Sequence, residues 1–351
     1  MAEKLTIAVL DIAASKTGAL SVLKDFYFGI RELDRVNDWI FITGVKGLIS
    51  EDPAYPNIRV IVRDDVKKSK LNRLFFDRFS GTPFLKSLKP DIIFSMQNTL
   101  PSGAEKIVSP SGKKVRSVIY LHQPLGFQRE KNFSFFNKWE REAALYQKLI
   151  APEIDRSVKR ADKVIVQTEW MKDALIKKDR IPPERVDRIT PAIPDLSTLC
   201  KPGVKRDPSL FFYPAGSIIY KDHQCIVDAL WILYKRGISD LKVIFTEKEN
   251  ALPWLKIPME VRKNIEFRGM VKREEMVPLY QSSVLVFPSY IETFGYPLAE
   301  ARSLSVPVIA ADTPFSRELL SGYEDKAFFP VSSAEALSKL MEESVMGRWS
   351  H

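Results

Sequence analysis

The run VLVFPSYIETFGYPLAEARSLSVPVIAAD, residues 284–312, is the part of the chain that most restricts its fold. Residues 284–287 are a short apolar run, as a strand buried on both faces requires. Pro288 and Ser289 end it. Pro297 fits the first residue of a helix, because its fixed φ suits that position and its missing N–H is not needed there. Residues 298–304 can wind as that helix, Pro307 stops it, and residues 308–311 form a second apolar run. Strand, loop, helix and strand in so few residues imply parallel pairing. The turn then lies at the C-terminal edge of the sheet, where ligands bind in open α/β folds. Two carboxylates sit in it, Glu292 in the loop and Glu300 on the helix. Gly295 stands between them and permits close approach of backbone to a ligand. The helix N-terminus offers N–H groups and the positive end of a dipole to a phosphate.

The same alternation runs through the rest of the chain. Strand patterns at 5–10, 39–43, 58–62, 91–95, 115–121 and 163–167 are separated by helical patterns, notably 19–33 and 133–159. Residues 190–208, TPAIPDLSTLCKPGVKRDP, carry four prolines and poor periodicity, which marks a linker. Strands then recur at 210–213, 242–245 and 265–269, with helices at 223–235, 273–281 and 333–344. Alternating strands and helices on either side of a break predict two α/β halves. At 351 residues the chain is long enough for two domains. The expected division is 1–195, a linker at 196–208, and 209–351. Two such halves imply a cleft between them, the usual place for a small-molecule site.

The spacing of Glu292 and Glu300, with Phe294 and Gly295 inside and apolar strands on both sides, resembles the E-x7-E signature of retaining glycosyltransferases of family 4. These have the GT-B architecture, two Rossmann-like domains facing each other across a cleft. The resemblance covers nearly the whole chain and is dense after about residue 164. It implies transfer of a sugar from a nucleotide diphosphate donor to an acceptor hydroxyl with retention of configuration. The first domain would bind the acceptor and the second the nucleotide-sugar. Glu300 would accept hydrogen bonds from the ribose, and Glu292 would hold hydroxyls of the donor sugar. The backbone N–H groups of Phe294, Gly295 and Tyr296 would face sugar and phosphates.

A second motif is FYPAGSIIYKDHQ, residues 212–224: a strand ending at Pro214 and Gly216, a loop, and a helix opening near Asp222, a suitable N-cap. Lys221 stands at the helix mouth, where a mobile ammonium can meet a diphosphate. The family commonly carries an arginine where this chain has Ser217, so the leaving group would be held by Lys221, backbone N–H groups and the helix dipole, with a hydrogen bond from Ser217. A solvated surface lysine is the bland reading of Lys221. Gly18, in ASKTGAL, is what remains of the family's glycine-rich loop, and a plain strand-to-helix turn explains it as well. His122, in VIYLHQPLGF, resembles the family's active-site histidine, against the reading of a packed side chain beside Pro124. Gln167 and Thr168 open another helix, with Thr168 read first as an N-cap. His223 reads as a helix-face residue.

The net charge of +9 calls for a polyanionic partner: nucleic acid, anionic lipid or a diphosphate. No nucleic-acid motif is present, so no nucleic-acid partner is expected. Residues 66–79 and 127–150 interleave basic residues with Phe75, Phe76, Phe133, Phe135, Phe136 and Trp139. This composition suits an anionic membrane surface or, equally, amphipathic helices with aromatics in the core. An acceptor on a polyprenyl diphosphate, used in bacterial surface polysaccharide assembly, follows by analogy. Two cysteines without C-x-x-C spacing make neither a zinc site nor a disulfide framework. Together with the absence of a long apolar run, this fits a cytoplasmic enzyme, peripheral at most on the inner face of the membrane. No Asp-x-Asp occurs, so no cofactor and no metal requirement is expected beyond the nucleotide-sugar itself. Three alternatives remain. A nucleotide-sugar 2-epimerase shares the architecture but lacks this glutamate pattern. A dehydrogenase would need a G-x-G-x-x-G that is absent. A non-enzymatic basic protein would explain the charge but not the carboxylate turn.

Overall fold

The computed structural model describes residues 4–348, apart from 15, 16 and 194. The chain divides into two compact units, residues 1–126 with 148–189 and residues 127–147 with 190–351. The second unit thus takes in a segment of about twenty residues that the sequence reading left in the first domain.

The first unit holds a seven-stranded parallel sheet: β1 (Thr6–Asp11), β2 (Asp38–Thr43), β3 (Ile58–Val62), β4 (Ile92–Ser95), β5 (Arg116–Leu121), β6 (Lys163–Val166) and β7 (Val186–Arg188), in the order 3-2-1-4-5-6-7. The second holds a six-stranded sheet: β8 (Leu210–Tyr213), β9 (Lys242–Phe245), β10 (Ile265–Phe267), β11 (Val284–Phe287), β12 (Val308–Ala311) and β13 (Lys326–Phe329), in the order 10-9-8-11-12-13. All pairings within the two sheets are parallel. These are two Rossmann-like sheets, as the alternation predicted. β7 and β13 were not anticipated. β7 has only three residues, and β13 (KAFF) is only partly covered.

In each sheet the strand order reverses once, between β1 and β4 and between β8 and β11. Loops leaving the two strands diverge there and open a crevice at the carboxyl edge. The central strands β8, β11 and β12 are apolar and buried along most of their length, which is why they read as continuous apolar runs. In the first unit, helix Thr17–Leu33 lays Leu23 and Tyr27 on Val9 and Phe41, with Phe26 stacked on Phe94 at 5.0 Å. In the second, helix Ala334–Val345 packs along helix His223–Lys235. Arg236 bonds both Glu335 and Glu342 there.

The long helix expected at 133–159 is not one element. Residues 127–140 are irregular, and helix starts at Arg141, widens into a π turn over Tyr146–Ile150 and resumes as Ala151–Arg160. Side chains fix the irregular part: Gln147 accepts from the Phe133 N–H at 2.9 Å, and Glu140 from the Ser134 N–H at 2.9 Å. Of the aromatics assigned to a membrane face, Phe133 and Phe76 are fully buried and belong to the core. Phe75, Phe79, Phe135 and Phe136 are exposed.

Candidate active site

The site grows from the crevice between β8 and β11. The loop after β8 ends in a tight turn over Ile219–Lys221, pinned by the Tyr213 hydroxyl, which donates to the Lys221 carbonyl at 2.5 Å. The Tyr290 N–H donates to the Tyr220 carbonyl at 3.3 Å and ties this turn to the loop after β11. The Lys221 ammonium is thereby set against the Glu292 carboxylate, and the two form an ion pair. Ser289, the second residue past β11, donates to the same Glu292 oxygen at 3.0 Å. Both side chains of the pair are 16% exposed, so solvent screens the charges little. The sequence reading gave the lysine and the glutamate separate tasks. In the structure each is the other's counter-ion.

Glu300 belongs to a different network. It is 8% exposed on helix Tyr296–Ser303. Tyr280 donates to one carboxylate oxygen at 2.9 Å and Arg273 to the other at 3.1 Å. Burial pushes its pKa above the usual carboxylate range, while the Tyr280 hydrogen bond and the Arg273 charge oppose that rise. Arg273 and Tyr280 lie seven residues apart on helix Arg273–Ser282, two turns along one face. Phe294 is buried, with its ring edge-on to Tyr296 at 5.1 Å.

Gly295 opens the helix at φ +89°, a left-handed conformation that L side chains rarely adopt. A Cβ there would meet only ordinary contacts, Leu298 and Leu319 at 3.5 Å and Phe315 at 3.6 Å. Backbone conformation is by itself a sufficient reason for a glycine at this position.

Gly216 and Ser217 are exposed in the loop after β8. The Ser217 N–H donates to Glu247 at 3.1 Å, and a Cβ on Gly216 would stand 3.7 Å from the same oxygen. Asp222 occupies the N-cap position of its helix but in left-handed conformation, φ +54°. Its carboxylate accepts from the Ser332 hydroxyl at 2.6 Å and makes no side-chain cap bond, contrary to the expected role. His223 is a core residue with its ring 4.8 Å from Tyr213 and 5.0 Å from Phe245. Burial pushes its pKa down to about 3. Sequence reasoning missed Ser289, Glu247, Tyr280 and Arg273 as parts of these networks. Ser289 and Glu247 each stand two residues past a strand end and could have been found by position; the other two carry no spacing that sets them apart.

In the first unit, His122 follows β5. Its N–H donates to the Asn98 side-chain oxygen at 2.7 Å, and its Nε2 lies 3.5 Å from the Asn98 amide nitrogen. Nδ1 is buried without a partner, and burial lowers the pKa to about 4, so the ring is neutral at pH 7. Gly18 lies in the first turn of helix Thr17–Leu33, while Ser15 and Lys16 of the same motif lie outside the described residues. Gln167 donates to the Tyr120 hydroxyl at 2.8 Å, and Thr168 takes the N-cap position of helix Glu169–Asp179.

Two parallel Rossmann-like sheets, each with a single order reversal, make up the GT-B fold. The sequence profile described as Glycosyl transferases group 1 matches residues 201–347, and that described as Glycosyltransferase Family 4 matches residues 39–195. The chain belongs to the GT-B glycosyltransferases of family 4 type. It is similar to the O-antigen chain mannosyltransferase RfbU of Salmonella typhimurium, 26% identical over 322 residues covering 88% of this chain and 82% of the relative. Its fold is that of Anabaena Alr3699/HepE, solved in complex with UDP, at a TM-score of 0.64, 15% identity, and 98% and 91% coverage of the two chains. It is also that of WaaG, a glycosyltransferase involved in lipopolysaccharide biosynthesis, at 0.63, 14%, 98% and 93%.

Proposed function

We propose that this enzyme moves a sugar from a nucleotide diphosphate donor to a hydroxyl of a saccharide acceptor, retaining the anomeric configuration and needing no metal. The observation that carries this reading is the Lys221–Glu292 pair, with Ser289, at the carboxyl edge of β8 and β11. In transfer, negative charge grows on the departing diphosphate, and a preorganised ammonium stabilises that charge more than it stabilises the ground state. Lys221 would exchange its carboxylate partner for the diphosphate. Glu292, released, would accept hydroxyls of the donor sugar. A carboxylate offers about four lone-pair sites. Tyr280 and Arg273 use two on Glu300, and the remainder suit the ribose hydroxyls. Backbone N–H groups at Phe294, Gly295 and Tyr296, with that of Gly216 and the Ser217 hydroxyl, would contact the phosphates. The neutral His122 ring would hydrogen-bond a sugar or acceptor hydroxyl, and Gly18 would lie near the donor phosphates and the acceptor. No side chain is assigned as a covalent nucleophile; in a front-face substitution the leaving phosphate takes the acceptor's proton.

The acceptor we propose is a saccharide on a polyprenyl diphosphate, in surface polysaccharide assembly of the O-antigen or lipopolysaccharide kind. RfbU, an O-antigen chain mannosyltransferase, and WaaG, a glycosyltransferase involved in lipopolysaccharide biosynthesis, support the surface-polysaccharide part of this reading. The enzyme would then work on the inner face of the membrane. Leu71, Leu74, Phe75 and Phe79 support such contact, being 77%, 53%, 59% and 68% exposed on one helical stretch that also carries Lys70 and Arg78.

Thermal-shift measurements with UDP, GDP, dTDP, ADP and CMP, first without metal and then with magnesium, test the reading. A rise with one diphosphate in the absence of metal is expected. A rise that appears only with magnesium refutes metal independence. No rise with any nucleotide refutes the donor assignment.

A further inference from the structure

We infer that the second unit carries a separate pocket for one neutral sugar ring, walled by Trp254 and Tyr290. The cavity encloses about 230 Å³, and neither Lys221 nor Glu292 lines it. That is below the ~300–1,000 Å³ of sites for drug-sized ligands. It suits a single pyranose and is too small for a nucleotide.

The chemistry of the wall narrows the ligand. Trp254 offers an aromatic surface, with Ile219 beside it, for the C–H face of a sugar. Tyr290 is 6% exposed and lines the cavity, so it adds a second aromatic surface and a phenolic hydroxyl to the wall. A phenolic hydroxyl at a cavity wall can donate to or accept from a sugar hydroxyl. The Asp222 and Glu130 carboxylates can accept from sugar hydroxyls. The only ammonium in the wall, on Lys131, already pairs with Glu140 at 2.8 Å. The local charge is therefore negative, which repels phosphates and diphosphates.

The wall is also built under strain. Asp222 and Ser332 both hold left-handed backbone, φ +54° and +57°, and are bonded to each other through the Ser332 hydroxyl. Non-glycine residues held in that region cluster at ligand sites. The pocket's floor is rigid on one side, because the Gln224 side chain is locked to both the N–H and the carbonyl of Lys256.

The inference rests on the sugar-transfer reading for its physiological ligand, a sugar of the acceptor saccharide away from the reacting end. Its test uses no turnover. Saturation-transfer NMR on the full chain would screen methyl pyranosides of glucose, galactose, mannose, rhamnose and N-acetylglucosamine, with and without saturating UDP and GDP. At least one glycoside is expected to give a signal that persists with either nucleotide. Tyr290→Phe, which removes only the hydroxyl, should weaken binding about threefold to tenfold, and Trp254→Ala should abolish it. The pocket is refuted by no signal from any glycoside, by signals undiminished in both variants, or by loss of signal when nucleotide is added. Failure of the donor reading would show instead as absent nucleotide thermal shifts beside intact glycoside signals.

Discussion

Replacing Glu292 by Gln should tighten the binding of a bare nucleoside diphosphate, while replacing Lys221 by Met should weaken it. The reasoning starts from the ion pair. Two unit charges in contact at an effective dielectric of about 20 attract by roughly 4 kcal/mol. Desolvating both groups takes back part of that. At 16% exposure on each side, about 1–3 kcal/mol of coupling should remain, above the ~0–1 kcal/mol of an exposed pair. A ligand phosphate must displace Glu292 from Lys221 and so loses that coupling from its own binding energy. Glu292→Gln removes the competitor without removing volume, and a bare diphosphate has no sugar for Glu292 to hold. Affinity should therefore rise by about fivefold to 150-fold, the same energy written as a ratio. Lys221→Met should lower it at least tenfold. Isothermal titration with the diphosphate chosen by the thermal-shift screen reads both, and a double-mutant cycle gives the coupling directly. Equal weakening by both substitutions would refute the competition, and so would a coupling below ~0.5 kcal/mol.

Two further outcomes can be checked. Asp11, 2% exposed at the end of β1, has its pKa pushed up to about 6 by burial, against a hydrogen bond from the Ala14 N–H. The folded state then keeps a proton that the unfolded chain releases from about pH 4, so this group lowers stability as pH rises to 6, by about 3 kcal/mol in all. His122 works in the opposite sense, since its lowered pKa gives stability above pH 6.5 that is lost as pH falls to about 4. Urea midpoints of Asp11→Asn should accordingly climb more steeply with pH over this window than those of the wild type, whereas parallel curves would dismiss the assignment. For the membrane contact, Phe75→Ser with Phe79→Ser should release the protein from sedimented anionic vesicles without changing its melting temperature, because both rings are exposed; unchanged sedimentation would remove this face from consideration.

Most strands were legible because parallel strands buried on both faces leave continuous apolar runs, as in Val284–Phe287 and Val308–Ala311. Pro297 and the helix it opens were legible for a local steric reason. What escaped was set by distant partners. Nothing near Glu292 in sequence reveals that Lys221 neutralises it, and nothing near Glu300 points to Tyr280 and Arg273. Asp222 has the composition of an N-cap, yet Ser332, far along the chain, captures its carboxylate. The stretch at 133–159 carries a helical pattern, but Glu140 and Gln147 hold its first part open by bonding backbone N–H groups. Helix propensity there is overruled by side-chain hydrogen bonds that no periodicity records.

The membership of residues 127–147 in the second unit bears on how this enzyme can be cut and recombined. Phe133 packs at 6.3 Å from Tyr220, and Trp139 at 6.0 Å from Trp254. A fragment begun at the proline-rich linker would lack both rings and would expose the surfaces they cover, including a wall of the sugar-sized cavity. Chimeras that exchange donor halves between related transferases should therefore carry this strap along with residues 190–351, so that the transplanted half keeps its own lining.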